Sequence, residues 1–142
     1  MQSYSPICVD ASFIIRLIET PPNQGIGTLW QRWQAENRPI VAPALLLYEV
    51  TNALYKYVRQ GLLTSEELDL ALIDVDALNI ALIENREMHR QAARLAQEFG
   101  LRAAYDAHYL ALAQQMNAEF WTFDARLVKS VSQALPWVHL AA

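Results

Sequence analysis

Residues 7–19 read ICVDASFIIRLIE, and how this stretch is read decides the fold. Three apolar residues, Ile7-Cys8-Val9, stop at an acid, Asp10, and the period then changes: Phe13 and Leu17, with Ile14 and Ile18, recur four apart, as on one face of a helix. That is strand, turn, helix. Asp10 can cap the helix, since an Asp side chain accepts a hydrogen bond from a first-turn N–H, and Ser12 can do so locally.

The same device returns late in the chain. In EFWTFDARL, residues 119–127, an apolar run over 119–123 ends at Asp124 and a helix is predicted over 125–131. Between the two, 39–42 reads as a second strand and 44–60 as the longest helix, closed by Gly61. A cap at Thr64 or Ser65 opens a helix to about Leu72, and 78–83 reads as a third strand. An amphipathic helix over 86–99 closes at Gly100, and Asp106 opens a further helix, AHYLALAQQM. Pro21-Pro22 ends the first helix. The segment 23–27 reads as a loop, with Thr28 capping a helix that turns Trp30 and Trp33 into the core. Residues 137–140 read as an edge strand. Strands alternating with helices require crossover connections, hence a parallel sheet covered on both faces.

One domain spanning 1–142 is the expectation, because a chain of 142 residues can bury a core without staples. With 54% hydrophobic and 18% charged residues it is not disordered, and some apolar surface is expected to face a partner, chiefly Ile14 to Ile18 and the helix from Leu45 to Val58. The N-terminal residues lack the basic start and the apolar length of a leader, and no apolar run is long enough for a bilayer, so a cytoplasmic location without membrane contact is expected. Cys8, the lone cysteine, reads as a small buried hydrophobe.

Four acids occupy comparable settings. Asp10 and Asp124 end strands, Asp106 starts a helix, and Glu49 interrupts an apolar helix, where an unpartnered carboxylate is costly. Helical spacing offers Asn52 as the local companion of Glu49. Parallel strands bring their C-terminal ends to one edge, so Asp10 and Asp124 face one crevice with Asp106 beside them. Clustered carboxylates raise their own pKa values or bind a cation, and hard oxygen donors suit Mg²⁺ or Mn²⁺. His89, His108 and His139 lack the spacing of a zinc site, and no phosphate loop or nucleophile elbow is present.

VDAS, LLLYEVTNAL, YDAHYLALA and WTFDARL, in this order across essentially the whole chain, resemble the PIN-domain ribonucleases, and more narrowly the VapC toxins of type II toxin–antitoxin pairs. The resemblance implies a PIN-like α/β three-layer sandwich with a small central parallel sheet. It implies Asp10, Glu49, Asp106 and Asp124 as catalytic metal ligands, with Ser12, Asn52 and Thr122 in support. It further implies Mg²⁺- or Mn²⁺-dependent endonucleolytic cleavage of RNA leaving a 5′-phosphate and a 3′-hydroxyl, an antitoxin partner and a homodimer. The net charge of −4 then equals the four proposed ligands, since the remaining eleven acids match the eleven Lys and Arg. Arg16, Lys56, Arg59, Arg102, Arg126 and Lys129 are the basic residues offered to the RNA backbone.

Two other enzymes fit poorly. A haloacid-dehalogenase-type phosphatase needs an acid where Ser12 stands, and a response-regulator receiver needs acids where Asp74 and Asp76 are not. The alternative of a different class is a non-catalytic PIN-like domain that binds RNA or protein.

Overall fold

The computed structural model describes residues 4–141; residues 1–3, part of the N-terminal leader reading, and residue 142 of the expected domain lie outside them. Among the described residues the elements run β1 (Ile7–Val9), α1 (Ala11–Glu19), α2 (Gly25–Ala35), β2 (Ile40–Pro43), α3 (Leu45–Arg59) and α4 (Ser65–Asp76), then β3 (Ala81–Ile83), α5 (Arg86–Glu98), α6 (Tyr105–Gln115), β4 (Glu119–Thr122), α7 (Ala125–Val131) and β5 (Val138–Leu140). Every strand pairing is parallel, and the order across the sheet is β3-β2-β1-β4-β5.

Alternation along β4 assigns the layers. Phe120 stacks on Tyr109 of α6 with ring centroids 5.9 Å apart, while its neighbour Trp121, pointing to the other face, meets Trp33 of α2 edge-on at 5.5 Å. Helices therefore cover both faces, giving the α/β three-layer sandwich expected. The central strand β1 is wholly buried, as a parallel strand covered on both sides must be. Cys8 lies within it, and Trp30 and Trp33 are core residues, as their spacing predicted.

Left-handed residues end many of the helices. Asn37, Asn79 and Asn117, with φ of 55°, 55° and 51°, stand where α2, α4 and α6 turn into β2, β3 and β4. Asn tolerates this conformation better than other non-glycine residues. Gly61, at φ 77°, ends α3 as anticipated.

Several boundaries differ from the sequence reading. Helix α2 starts at Gly25, so Thr28 is inside it rather than capping it. The reason is Gly27: a Cβ there would lie 2.4 Å from the Pro21 carbonyl oxygen, so this glycine serves close packing of the helix on the Pro21-Pro22 turn, not loop freedom. Helix α4 runs a turn past Leu72 and carries Val75 into the core, started by a capping box between Thr64 and Glu67. Strand β3 keeps only its last three expected residues, because Asn79 first turns the chain. Ile14, Ile15 and Leu17 are buried in the core, which removes the α1 face as a partner surface. No helix among the described residues is long and apolar enough to cross a membrane.

Candidate functional site

The chain leaves β1 toward β2 and β3 on one side and returns to β4 and β5 on the other. The switch in direction lies between β1 and β4, and crevices outside the carboxyl ends of strands at such a point are where open α/β sheets bind ligands. Asp10 follows β1 there and Asp124 follows β4.

Asp10 is 7% exposed and its carboxylate is held on both oxygens. Oδ1 accepts from Ser12 Oγ at 2.7 Å and from the Phe13 N–H at 3.0 Å, which makes Asp10 the N-cap of α1. Oδ2 accepts from Thr122 Oγ1 at 2.6 Å. This bond follows from register: Val9 pairs with Trp121, so the residues after them stand abreast. The two hydroxyls also work backwards. Thr122 Oγ1 accepts the Asp124 N–H at 3.0 Å and Ser12 Oγ accepts the Phe123 N–H at 3.1 Å, tying the end of β4 to the end of β1. Asp124 in turn caps α7 through the Leu127 N–H at 3.1 Å. Each hydroxyl spends its one proton on Asp10 and offers a lone pair to β4.

Glu49 and Asp106 come from helices. Glu49 is half-buried, and its partner is Tyr109, whose hydroxyl donates to Oε1 at 2.5 Å from the stacked ring beneath β4. Tyr109 was not anticipated; a buried tyrosine hydroxyl needs an acceptor, and its place one turn after Asp106 was the available signal. Asn52 is exposed and lines a groove with Tyr48, Thr51 and Tyr55 instead of meeting Glu49. Asp106 lies in the first turn of α6, one residue inside rather than before it, and Ala104 is the cap position. Its carboxylate receives no hydrogen bond among the described residues. His108 donates from Nδ1 to the Ala104 carbonyl at 2.7 Å and packs edge-on against His89, with which it shares a hydrogen bond; His89 also meets Glu84.

The acids feel one another. Burial pushes the Asp10 carboxyl above its ordinary pKa, against the hydrogen bonds from Thr122, Ser12 and Phe13, and Glu49 adds to the rise. Burial likewise raises Glu49, opposed by the Tyr109 hydrogen bond and reinforced by Asp106, while His108 pulls it down. Asp106 is raised by burial, then by Asp124 and Asp10. The same negative surroundings, after burial, push the Tyr109 phenol up. No salt bridge among the described residues engages Asp10, Glu49, Asp106 or Asp124. No group of three or more His, Cys, Asp or Glu side chains among the described residues is, as placed, able to hold a metal ion.

Comparison with known proteins agrees with this fold. The sequence model of the PIN domain matches residues 7–131. A relative from Pyrobaculum aerophilum, named Ribonuclease VapC3, is 34% identical over 87 residues, which span 60% of this chain and 66% of that protein. Two solved structures share the fold. One is PAE2754 from Pyrobaculum aerophilum, with a TM-score of 0.67, 24% identity and coverage of 89% of this chain and 84% of that one. The other, a toxin–antitoxin complex from Klebsiella pneumoniae, has a TM-score of 0.65 at 18% identity and covers 96% of this chain and 98% of that one.

Proposed function

Because this chain belongs to the PIN domain family, we propose that it is a metal-dependent endoribonuclease acting as the toxin of a toxin–antitoxin pair. One observation carries the proposal: carboxylates from β1, α3, α6 and the β4 to α7 turn converge on the switch-point crevice, and Asp10, Glu49 and Asp106 raise or are raised by their acidic neighbours with no salt-bridge partner. The name of the 34% identical relative supports the RNA substrate. The toxin–antitoxin complex of like fold raises the expectation of a protein partner.

The donor set fits a hard divalent cation. It is all oxygen and strongly negative, which favours Mg²⁺ or Mn²⁺ over softer metals. We assign Asp10, Glu49, Asp106 and Asp124 to hold it, with Ser12 and Thr122 fixing Asp10. When bound, such an ion polarises the scissile phosphate and lowers the pKa of the attacking water. The protein's part is positioning. Asp10 keeps a lone pair free, since three of about four carboxylate sites are occupied by Ser12, Phe13 and Thr122. Tyr109 holds one oxygen of Glu49 and leaves the other open. Asp106 is the least restrained of the four, accepting no hydrogen bond among the described residues.

A partner surface belongs to the same proposal. Tyr48 (75% exposed), Tyr55 and Leu82 stand out around a groove on α3 and the edge strand β3, and we assign homodimer and antitoxin contact to this half of the earlier expectation. The competing reading, a non-catalytic PIN-like domain, draws on the acids' lack of a closed ligand geometry.

Cleavage of a mixed cellular RNA pool decides between them. With Mg²⁺ or Mn²⁺ the protein is expected to yield discrete fragments bearing 5′-phosphates. Chelator abolishes them, and Asp10→Asn or Asp106→Asn lowers the rate by more than the roughly 10–100-fold typical of changes to supporting residues. Undiminished cleavage by folded Asp10→Asn would remove the acids from the reaction, and no metal-dependent cleavage by the wild type would leave the non-catalytic domain.

A further inference from the structure

The six basic side chains offered to a polyanion are not equivalent in the folded chain. The Arg16 guanidinium lies over the Phe123 ring, 4.6 Å from its centroid, and is already engaged. Lys56 and Arg59 stand in the last turn of α3. Arg102 and Arg126 are different: they line one cavity of about 240 Å³ together with Asp106 and Asp124. Arg102 is in the α5 to α6 connection, four residues before Asp106, and Arg126 is in α7, two residues after Asp124. Each acid therefore has an arginine from its own segment beside it.

Those arginines are not used to neutralise the acids. Neither forms a salt bridge with any group among the described residues, although two carboxylates line the same cavity. The segment that carries Arg126 is fixed: the Asp124 carboxylate caps α7, and Ser130 on the cavity wall donates to the Arg126 carbonyl at 2.9 Å, one turn along. Guanidinium groups present planar, forked donors that match phosphate oxygens. The cavity is smaller than the pockets of about 300–1,000 Å³ that enclose drug-sized ligands.

We propose that Arg102 and Arg126 form a subsite for a phosphodiester of single-stranded RNA adjoining the bond that is cut. This rests on the ribonuclease reading and specifies its substrate contact: acids and arginines in one cavity divide the work, the former facing the reacting phosphate and the latter seating its neighbour.

The test is binding of a short fluorescein-labelled single-stranded RNA of mixed sequence, followed by anisotropy across a salt series with Mg²⁺ present, in the Asp10→Asn background so that the RNA survives. Each lost phosphate contact on a single strand lowers the slope of log K against log salt by about 0.7. Arg102→Ala and Arg126→Ala should each reduce the slope by that amount and weaken binding about tenfold. Arg126→Lys should restore the slope without restoring full affinity, because the charge returns and the fork does not. Arg32→Ala, in the last turn of α2, serves as the remote control and should leave the slope unchanged. Wild-type slopes in both alanine variants, or an equal drop in Arg32→Ala, would overturn the subsite while leaving the ribonuclease reading in place. A parent protein that binds no RNA at low salt would overturn both.

Discussion

Strand β4 carries a carboxylate at each end, and the two have opposite fates. Glu119, at its start, faces burial that would push its pKa up, but hydrogen bonds from Arg38 and Trp121, with the charges of Arg38 and His139, hold it below its ordinary value. Arg38 reaches it at 2.5 Å, and Trp121 Nε1 donates at 3.1 Å. Asp124, just past the other end, lies among Asp10, Glu49 and Asp106, none of which has a salt-bridge partner among the described residues. A structural acid on this strand is given a cation by the chain itself; the acids at the crevice are given none among the described residues.

That contrast has a pH signature, and its largest test comes first because three shifts act together. Asp10, Glu49 and Asp106 have folded pKa values above their unfolded ones. Between the unfolded and folded values the native state binds more protons, so their stabilising contribution is complete below the ordinary carboxylate range and is lost as pH rises through the folded values. Glu119 runs the other way, contributing above its unfolded value and losing that contribution as pH falls through its lowered one. Urea unfolding of chelated protein should therefore show stability declining above about pH 4–5 relative to a variant with Asp10→Asn, Glu49→Gln and Asp106→Asn. Mg²⁺ should recover the difference in the wild type alone; identical profiles would erase the distinction between the two ends.

Thr122→Val comes next. It keeps the shape of a fully buried side chain but strips Asp10 Oδ2 of its donor and the Asp124 N–H of its acceptor. A loss of about 2–3 kcal/mol is expected by chemical denaturation, as for unsatisfied buried polar groups. Arg38→Met then tests the opposite end, where losing charged hydrogen bonds to Glu119 and to the Ser5 carbonyl should cost about 1.5–2 kcal/mol. Tyr109→Phe is the smallest, about 1 kcal/mol, because the ring still stacks on Phe120 and only the bond to Glu49 is lost. Its informative readout is metal-dependent cleavage, expected to fall more than stability as Glu49 loses its orientation.

Much of this was legible beforehand for a physical reason. Asp10 and Asp124 each interrupt an apolar strand just where the period changes, and parallel topology then forces them to one edge. Glu49 announced itself as a charge within apolar helix residues. What failed were partners set by tertiary packing. Asn52 satisfied helical spacing to Glu49, yet the helix turns it to solvent and an unforeseen tyrosine from α6 takes its place. Thr28 had the chemistry of a cap, but the close approach of Gly27 to Pro21 started the helix earlier. The double duty of Thr122, donor to one acid and acceptor for the backbone of another, depends on strand register, which no local pattern encodes.

The bond from Thr122 to Asp10 joins residues 112 positions apart, and that from Phe123 to Ser12 joins residues 111 apart. Contacts of such separation are late events in folding, because the loop they close must first be ordered. At a synthesis rate of about 5–20 residues per second, roughly 6–22 s pass between the emergence of the first acid and of the strand that completes its setting. Throughout that interval β1 waits without its β4 neighbour and the crevice does not exist. For a chain proposed to cut RNA, the order of its residues acts as a delay: the site can assemble only after every residue from Asp10 to Asp124 has been synthesised.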